Sequence, residues 1–265
     1  MLKGVDLSTW NKNVDYNALK GQGIDFAILR CGYGKDAGQK DEMFEQHYRG
    51  CKDAGILVGV YHYSYCKLPE NAVKEAENCL SYIAGKQLDL PVFYDIEEKS
   101  ILDNCDPTDI TIKFCERIKQ DGYDAGVYAN LNWFNNYFDV DALKNNGVRI
   151  WFAQWNNEIT ADFDVDLWQY TNNYEGMDGD KLINENIIHS QPEPQPEFEV
   201  DICKSLAVDV IFRKVWKRRR KKTSARKLLW RSSKHSKWNI QHNMWIIWKT
   251  MWKTRKEKKW LHHVH

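Results

Sequence analysis

Along the first 170 residues, apolar and aromatic positions gather in short dense runs, separated by longer stretches where they recur every three or four residues. The dense runs predict strands at GVDLS (4–8), DFAILRCGY (25–33), ILVGVYHYSY (56–65), LPVFYDIE (90–97), DAGVYAN (124–130), VRIWFAQW (148–155) and DLWQY (166–170). The helical period predicts helices near 15–21, 41–53, 70–84, 107–120 and 139–145. Asp106 before Pro107 is an N-cap with proline in the first turn, and Gly55, Gly85 and Gly122 follow helix ends. Near-continuous apolar strands imply a parallel sheet covered on its outer face. Five βα repeats followed by helix-poor strands then predict an α/β fold, an irregular TIM-like β/α barrel.

In such barrels the working residues sit at the C-terminal strand ends. Polar side chains collect there in this chain: Asp6 and Ser8, Arg30 and Tyr33, Tyr61 to Tyr65, Asp95 and Glu97, Tyr128 and Asn130, Gln154 and Trp155, and Gln169. On a strand, Asp95 and Glu97 would point to one side, roughly 6.6–7 Å apart at Cα. Apolar neighbours Pro91 to Tyr94 and Ile96 desolvate that space, which raises a carboxyl toward general-acid duty near neutral pH. Two carboxyls in unlike surroundings are the equipment for glycosidic cleavage. Tyr61, Tyr63, Tyr65, Tyr128, Trp155 and Trp168 could offer faces to sugar rings, and Asn130, Gln154 and Gln169 could bond hydroxyl and acetamido groups.

Composition bounds the chain as globular: 265 residues, 43% hydrophobic and 13% aromatic. The seven cysteines form no C-x-x-C pair, which speaks against a disulfide framework and a zinc site, and Cys31 and Cys79 read as small core residues. The opening MLKGVDLSTW has no signal-peptide pattern, and no apolar run is long enough to span a bilayer, so synthesis in the cytoplasm is expected. The net charge of +1 hides a split: residues 1–199 hold 18 Lys and Arg against 34 Asp and Glu, and residues 200–265 hold 20 against 3.

GVDLSTW, GVYHYSY, VFYDIE, GVYAN, WFAQWN, DLWQYT and GMDGDKLIN, in this order, resemble the glycoside hydrolase family 25 muramidases found among phage endolysins and bacterial autolysins. The resemblance covers residues 1 to about 187 and implies a catalytic barrel at 1–188 that cleaves the bond between N-acetylmuramic acid and N-acetylglucosamine. It implies Glu97 as the acid and Asp95 as the carboxylate assisting the substrate acetamido group. Asp6 is a further acid of the site, and Asp178 is the match to a V-D-x-N-like segment from which Met177 and Asp180 depart. Bacterial peptidoglycan is then the partner, reached after phage lysis or autolysis, with no cofactor and no nucleic acid required.

Two other readings fit the residues. Four acids in a barrel mouth could hold Mg²⁺ or Ca²⁺ for phosphodiester cleavage, although His62 is the only histidine near and reads as a core residue. A non-catalytic sugar-binding barrel is the other.

The Pro- and Glu-rich stretch 189–199 reads as a linker. The tail 200–265 has no glycine and seven of the twelve tryptophans. One choice of codons for Arg213 to Ser224, read one base later, gives GKYGNGEERKR. Together with VDICKSLAVDVI, that string resembles the wall-binding repeat of some lysins. Every Trp codon yields glycine under this shift. The expected finding is a frame slip near Ile211 to Arg213, with the alternative of a genuine cationic arm on anionic polymers. Gene sequencing checks it: codons that forbid the shifted reading would leave the arm.

Overall fold

A computed structural model describes residues 1–189; the Pro- and Glu-rich stretch from residue 190 and the basic tail, with Cys203, lie outside the described residues. Eight strands close into a barrel in sequence order. They are β1 (Lys3–Leu7), β2 (Phe26–Tyr33), β3 (Leu57–Tyr63), β4 (Val92–Asp95), β5 (Ala125–Asn130), β6 (Arg149–Ala153), β7 (Leu167–Tyr174) and β8 (Met177–Leu182). Helices α1 (Tyr16–Gly21), α2 (Phe44–Asp53), α3 (Pro69–Ile83), α4 (Pro107–Gln120), α5 (Leu131–Asn136) and α6 (Val140–Asn145) lie in the connections. Strands β1 to β7 pair in parallel, whereas β8 runs antiparallel to both β7 and β1.

The expected barrel is therefore present, with three departures. Strand β8 closes it where the sequence shows only the polar, glycine-broken MDGDKL. Glu175 and Gly176 connect β7 to β8 with φ of 52° and 83°, the left-handed pair that a two-residue hairpin requires. Helix α5 also escapes the periodicity, because LNWFNN is short and starts directly from β5. Strand β4 stops at Asp95, so Glu97 stands two residues beyond it rather than on it.

Helix α4 shows how local chemistry fixes the outer layer. Asp106 accepts from the Thr108 amide at 2.8 Å, and Pro107 needs no donor there. Ile110, Phe114 and Ile118 recur at the helical period and are buried. Phe114 stacks on Tyr94 of β4 with ring centroids 4.0 Å apart, which ties α4 to the strand that ends in Asp95. The Tyr94 hydroxyl accepts from Ser64 Oγ at 2.8 Å and donates to the buried Glu75 of α3 at 2.6 Å.

Side-chain parity divides the barrel. Val5, Ala27, Leu29, Val58, Val60, Val92, Tyr94 and Val127 face outward into the layer under the helices. Phe26, Ile28, Tyr61, Phe93, Trp151, Leu167 and Leu182 face inward and plug the lower barrel. The plug needs glycine: a Cβ on Gly4 would lie 2.2 Å from the fully buried ring of Phe26. Gly4→Ala is accordingly expected to lower stability by about 1–3 kcal/mol, measured by urea denaturation, because the ring has no free space to move into.

Candidate active site

Above the plug, inward positions turn polar. They line a cavity of about 380 Å³ whose wall includes Asp6, Ser8, Arg30, Tyr61, Tyr63, Asp95, Glu97, Tyr128, Trp151, Gln169 and Asp178. Trp10 and Asn11 from the loop after β1, with Gly176 and Met177 from the hairpin, complete the rim. All four acids singled out in the sequence thus share one space.

Strand pairing brings them together. Asp6 and Asp178 are direct partners across the β1–β8 seam, and Asp95 pairs with Tyr63 and Tyr128 on either side. The hub is Gln169 on β7. Its Nε2 donates to Asp6 Oδ2 at 2.9 Å, while its Oε1 accepts from the Tyr128 hydroxyl and the Trp155 indole, each at 3.1 Å. The amide is thereby fixed in orientation and presents a donor to Asp6.

Burial sets the electrostatics. Asp6 is pushed up to about 8, first by burial and then by the negative charge of Asp178. Asp95, 5% exposed, is raised well above the carboxylate range by burial, by Glu97 and by Asp6; Arg30 opposes this only in part. Glu97 keeps part of its surface in solvent, and it is raised by the partial loss of hydration, then by Asp178 and Glu98. Asp178 is raised by burial. Arg30 is the only cation among the lining residues, and its Nε is held by Asp41 Oδ2 at 2.6 Å. Carboxyls crowded around a single cation, two of them buried, favour the protonated form more than a solvated carboxyl does. Asp95 Oδ1, in the cavity wall, is a buried acceptor with no hydrogen-bond partner.

Other expected site residues have different occupations. Trp168 points outward, donating from Nε1 to the Gln154 carbonyl at 2.8 Å, with Lys181 over its ring. Its neighbour Gln169 faces in, so strand parity forces Trp168 out. Asn130 caps α5, accepting from the amides of Asn132 and Trp133. Gln154 is engaged with Thr160 through both ends of its amide. Tyr65, 47% exposed, packs against Tyr33 and Tyr63 outside the cavity wall. Trp155, 61% exposed, stands outside that wall and reaches it through its bond to Gln169. Sequence reading misses Trp10, Trp151 and the fully buried Asp180, which accepts from Trp151 Nε1 at 2.9 Å.

Spacing also carries no hint that Cys31, His62 and Cys79 converge. Among the described residues they are the one group of three His, Cys, Asp or Glu donors whose ligand atoms all lie within 4.8 Å of one another. The sulfurs are 3.5 Å apart, and His62 Nε2 bonds the Gly34 carbonyl at 2.9 Å. Structural zinc takes four ligands. This group supplies three and lies in the apolar wall between β2, β3 and α3, so it serves as core. Among the described residues, no three of the mouth acids reach that mutual proximity.

Comparison with known proteins follows the same line. The profile of the Glycosyl hydrolases family 25 matches residues 5–178. The autolytic lysozyme of Clostridium acetobutylicum is 26% identical over 155 residues, 58% of this chain and 45% of that protein. The chain thus matches under half the length of that relative. The CTP1L endolysin structure superposes with a TM-score of 0.59 at 25% identity, covering 70% of this chain and 67% of that one. A family 25 glycosyl hydrolase from Bacillus anthracis gives 0.57 at 20% identity over 70% of this chain and 91% of that one, a likeness in fold alone.

Removing the lone cation tests the charge balance. Asp95 and Asp6 have folded values raised above their unfolded ones, so their stabilising contribution is full below the ordinary carboxylate range and is lost as pH rises through the raised values. Arg30→Gln raises Asp95 further and leaves the buried Asp41 with the Thr9 and Met43 amides but without its charged partner. Its thermal midpoint is expected to fall increasingly below that of the parent between pH 5 and pH 8.

Proposed function

The chain belongs to the glycosyl hydrolases family 25, and on that premise we propose that it is a peptidoglycan hydrolase of the lysozyme type, an N-acetylmuramidase with Glu97 as general acid and Asp95 as the residue that engages the substrate acetamido group. The observation that carries this reading is the open acceptor of Asp95. A buried carboxylate oxygen without a donor is costly, and an acetamido N–H entering the cavity supplies the missing bond. That bond favours ionised Asp95, and the proton held by the set is then best placed on Glu97, nearer to solvent and to the glycosidic oxygen.

The reaction follows from these roles. Glu97 protonates the bridging oxygen as the bond from it to the anomeric carbon breaks. The acetamido carbonyl oxygen bonds to that carbon, with Asp95 accepting from the acetamido N–H. Water then displaces the ring so formed, giving its proton to Glu97, and the sugar leaves with retained configuration. Tyr61, Tyr63 and Tyr128 supply apolar faces beside the acids, and Asp6 and Asp178 offset the positive charge that builds on the sugar. The wall polymer is the partner, and no cofactor enters any step.

Turbidity of purified Gram-positive walls tests the proposal. The full chain is expected to clear them and release new reducing N-acetylmuramic acid ends, whereas Glu97→Gln loses roughly 10²–10⁴-fold in rate. Activity should decline as pH rises through the elevated Glu97 value, because the acid form is then lost. Equal clearing by both proteins, or an inverted product anomer, would overturn the assignment of Glu97 or of substrate assistance respectively.

A further inference from the structure

Asp180 is the buried acid that this reaction leaves without a task. It lies on β8 directly opposite Gln169 on one side and Gly4 on the other, and it is fully buried. Its Oδ1 accepts from Trp151 Nε1 at 2.9 Å, and its Oδ2 is buried with no donor available to it. Three donors of the cavity wall are committed elsewhere: the Gln169 amide to Asp6, the Tyr128 hydroxyl to Gln169, and Arg30 Nε to Asp41. What Asp180 meets is the Asp6 carboxyl, an acceptor like itself. Two acceptors facing each other in a desolvated space are compatible only if a proton lies between them.

We propose that Asp180 is a positioning residue that keeps a proton and donates it to Asp6, so that Asp6 is clamped between Asp180 and the Gln169 amide with its orientation toward the cavity fixed. Every element around the pair is consistent with one shared proton. Asp178 on β8, Asp95 on β4 and Glu97 beyond it bring negative charge; Tyr61, Tyr128, Trp151 and Gln169 from β3, β5, β6 and β7 are neutral; and Arg30 on β2 is paired with Asp41. The proton is held more tightly in the folded chain than in the unfolded one, since burial raises both carboxyls and Asp6 stands at about 8. Were both carboxyls to ionise, the clamp would become a repulsion.

Two substitutions in the full chain separate this role from mere packing. Asp180→Asn is isosteric and keeps a donor toward Asp6 from its amide, but it cannot lose that donor by titration. Asp180→Leu removes the donor. The first readout is the thermal midpoint, which does not depend on the muramidase reading. The parent loses stability as pH rises from about 4 to about 8 while the unfolded pair ionises and the folded pair resists, so Asp180→Asn should gain on the parent across that interval. The second readout, which rests on the muramidase reading, is kcat on soluble wall fragments at pH 6. Asp180→Leu is expected to fall at least about tenfold with KM little changed, and Asp180→Asn to restore most of that loss. Parallel midpoint curves for Asp180→Asn and parent overturn the shared proton. Unchanged kcat in folded Asp180→Leu overturns the positioning role. If Asp180→Leu does not fold, the midpoint curves of Asp180→Asn decide alone; if the parent does not hydrolyse walls, the function proposed above fails while those curves still decide.

Discussion

The Trp151 indole is the floor on which the site stands. It is 2% exposed, and its ring meets those of Tyr61, Phe93 and Tyr128 at centroid distances of 5.9, 5.4 and 4.5 Å. Below it the barrel is filled with Phe26, Ile28, Leu167 and Leu182, so water has no route to the acids from beneath. Its one polar atom is spent on Asp180. The aromatic plug therefore acts on chemistry as well as on stability: it desolvates the carboxyls above it, and that desolvation is the first cause of the raised values of Asp6, Asp95 and Asp180.

The same arrangement explains why parity matters more than residue type. A side chain two positions along a strand enters the mouth, and its immediate neighbour enters the helical layer. Tyr61 and Tyr63 lie in the wall of the cavity while His62 between them packs on Tyr82 and Phe114 outside the barrel. Asp95 faces in while Tyr94 joins Ser64 and Glu75 outside. On the outer side Ser64, Tyr94 and Glu75 bond one another, whereas on the inner side Asp95 leaves an acceptor open toward the cavity, which is what a binding site requires.

Much of this arrangement is legible in the order of residues alone. The apolar runs locate seven of the eight strands because buried parallel strands need apolar residues on both faces. Asp6, Asp95 and Glu97 stand out for the converse reason, since an acid in or at the end of such a run has no packing explanation, whereas Asp178 is reached only through the family motif. Strand β8 is hidden because its inward face carries Asp178 and Asp180, so it lacks the apolar signature that marks the others. Residue type misplaces Trp168, although its position beside the inward Gln169 holds the answer. Asn130 and Gln154 look alike as polar strand-end residues, and only the caps and loops around them show where their bonds go. The meeting of Cys31, His62 and Cys79 depends on how α3 docks against the barrel, a relation that spacing does not encode.

The seam between β1 and β8 has a consequence for synthesis. Strand β1 emerges among the first residues, yet its second partner is the last strand of the barrel. Asp6 and Asp178 are 172 positions apart, from 178 minus 6, which at about 5–20 residues per second is a wait of roughly 10–30 s on a translating ribosome. Through that interval the free edge of β1 and the incomplete plug behind it are exposed to other nascent chains. The acid set does not exist until the seam is zipped, so a nascent chain that still lacks β8 carries no assembled site.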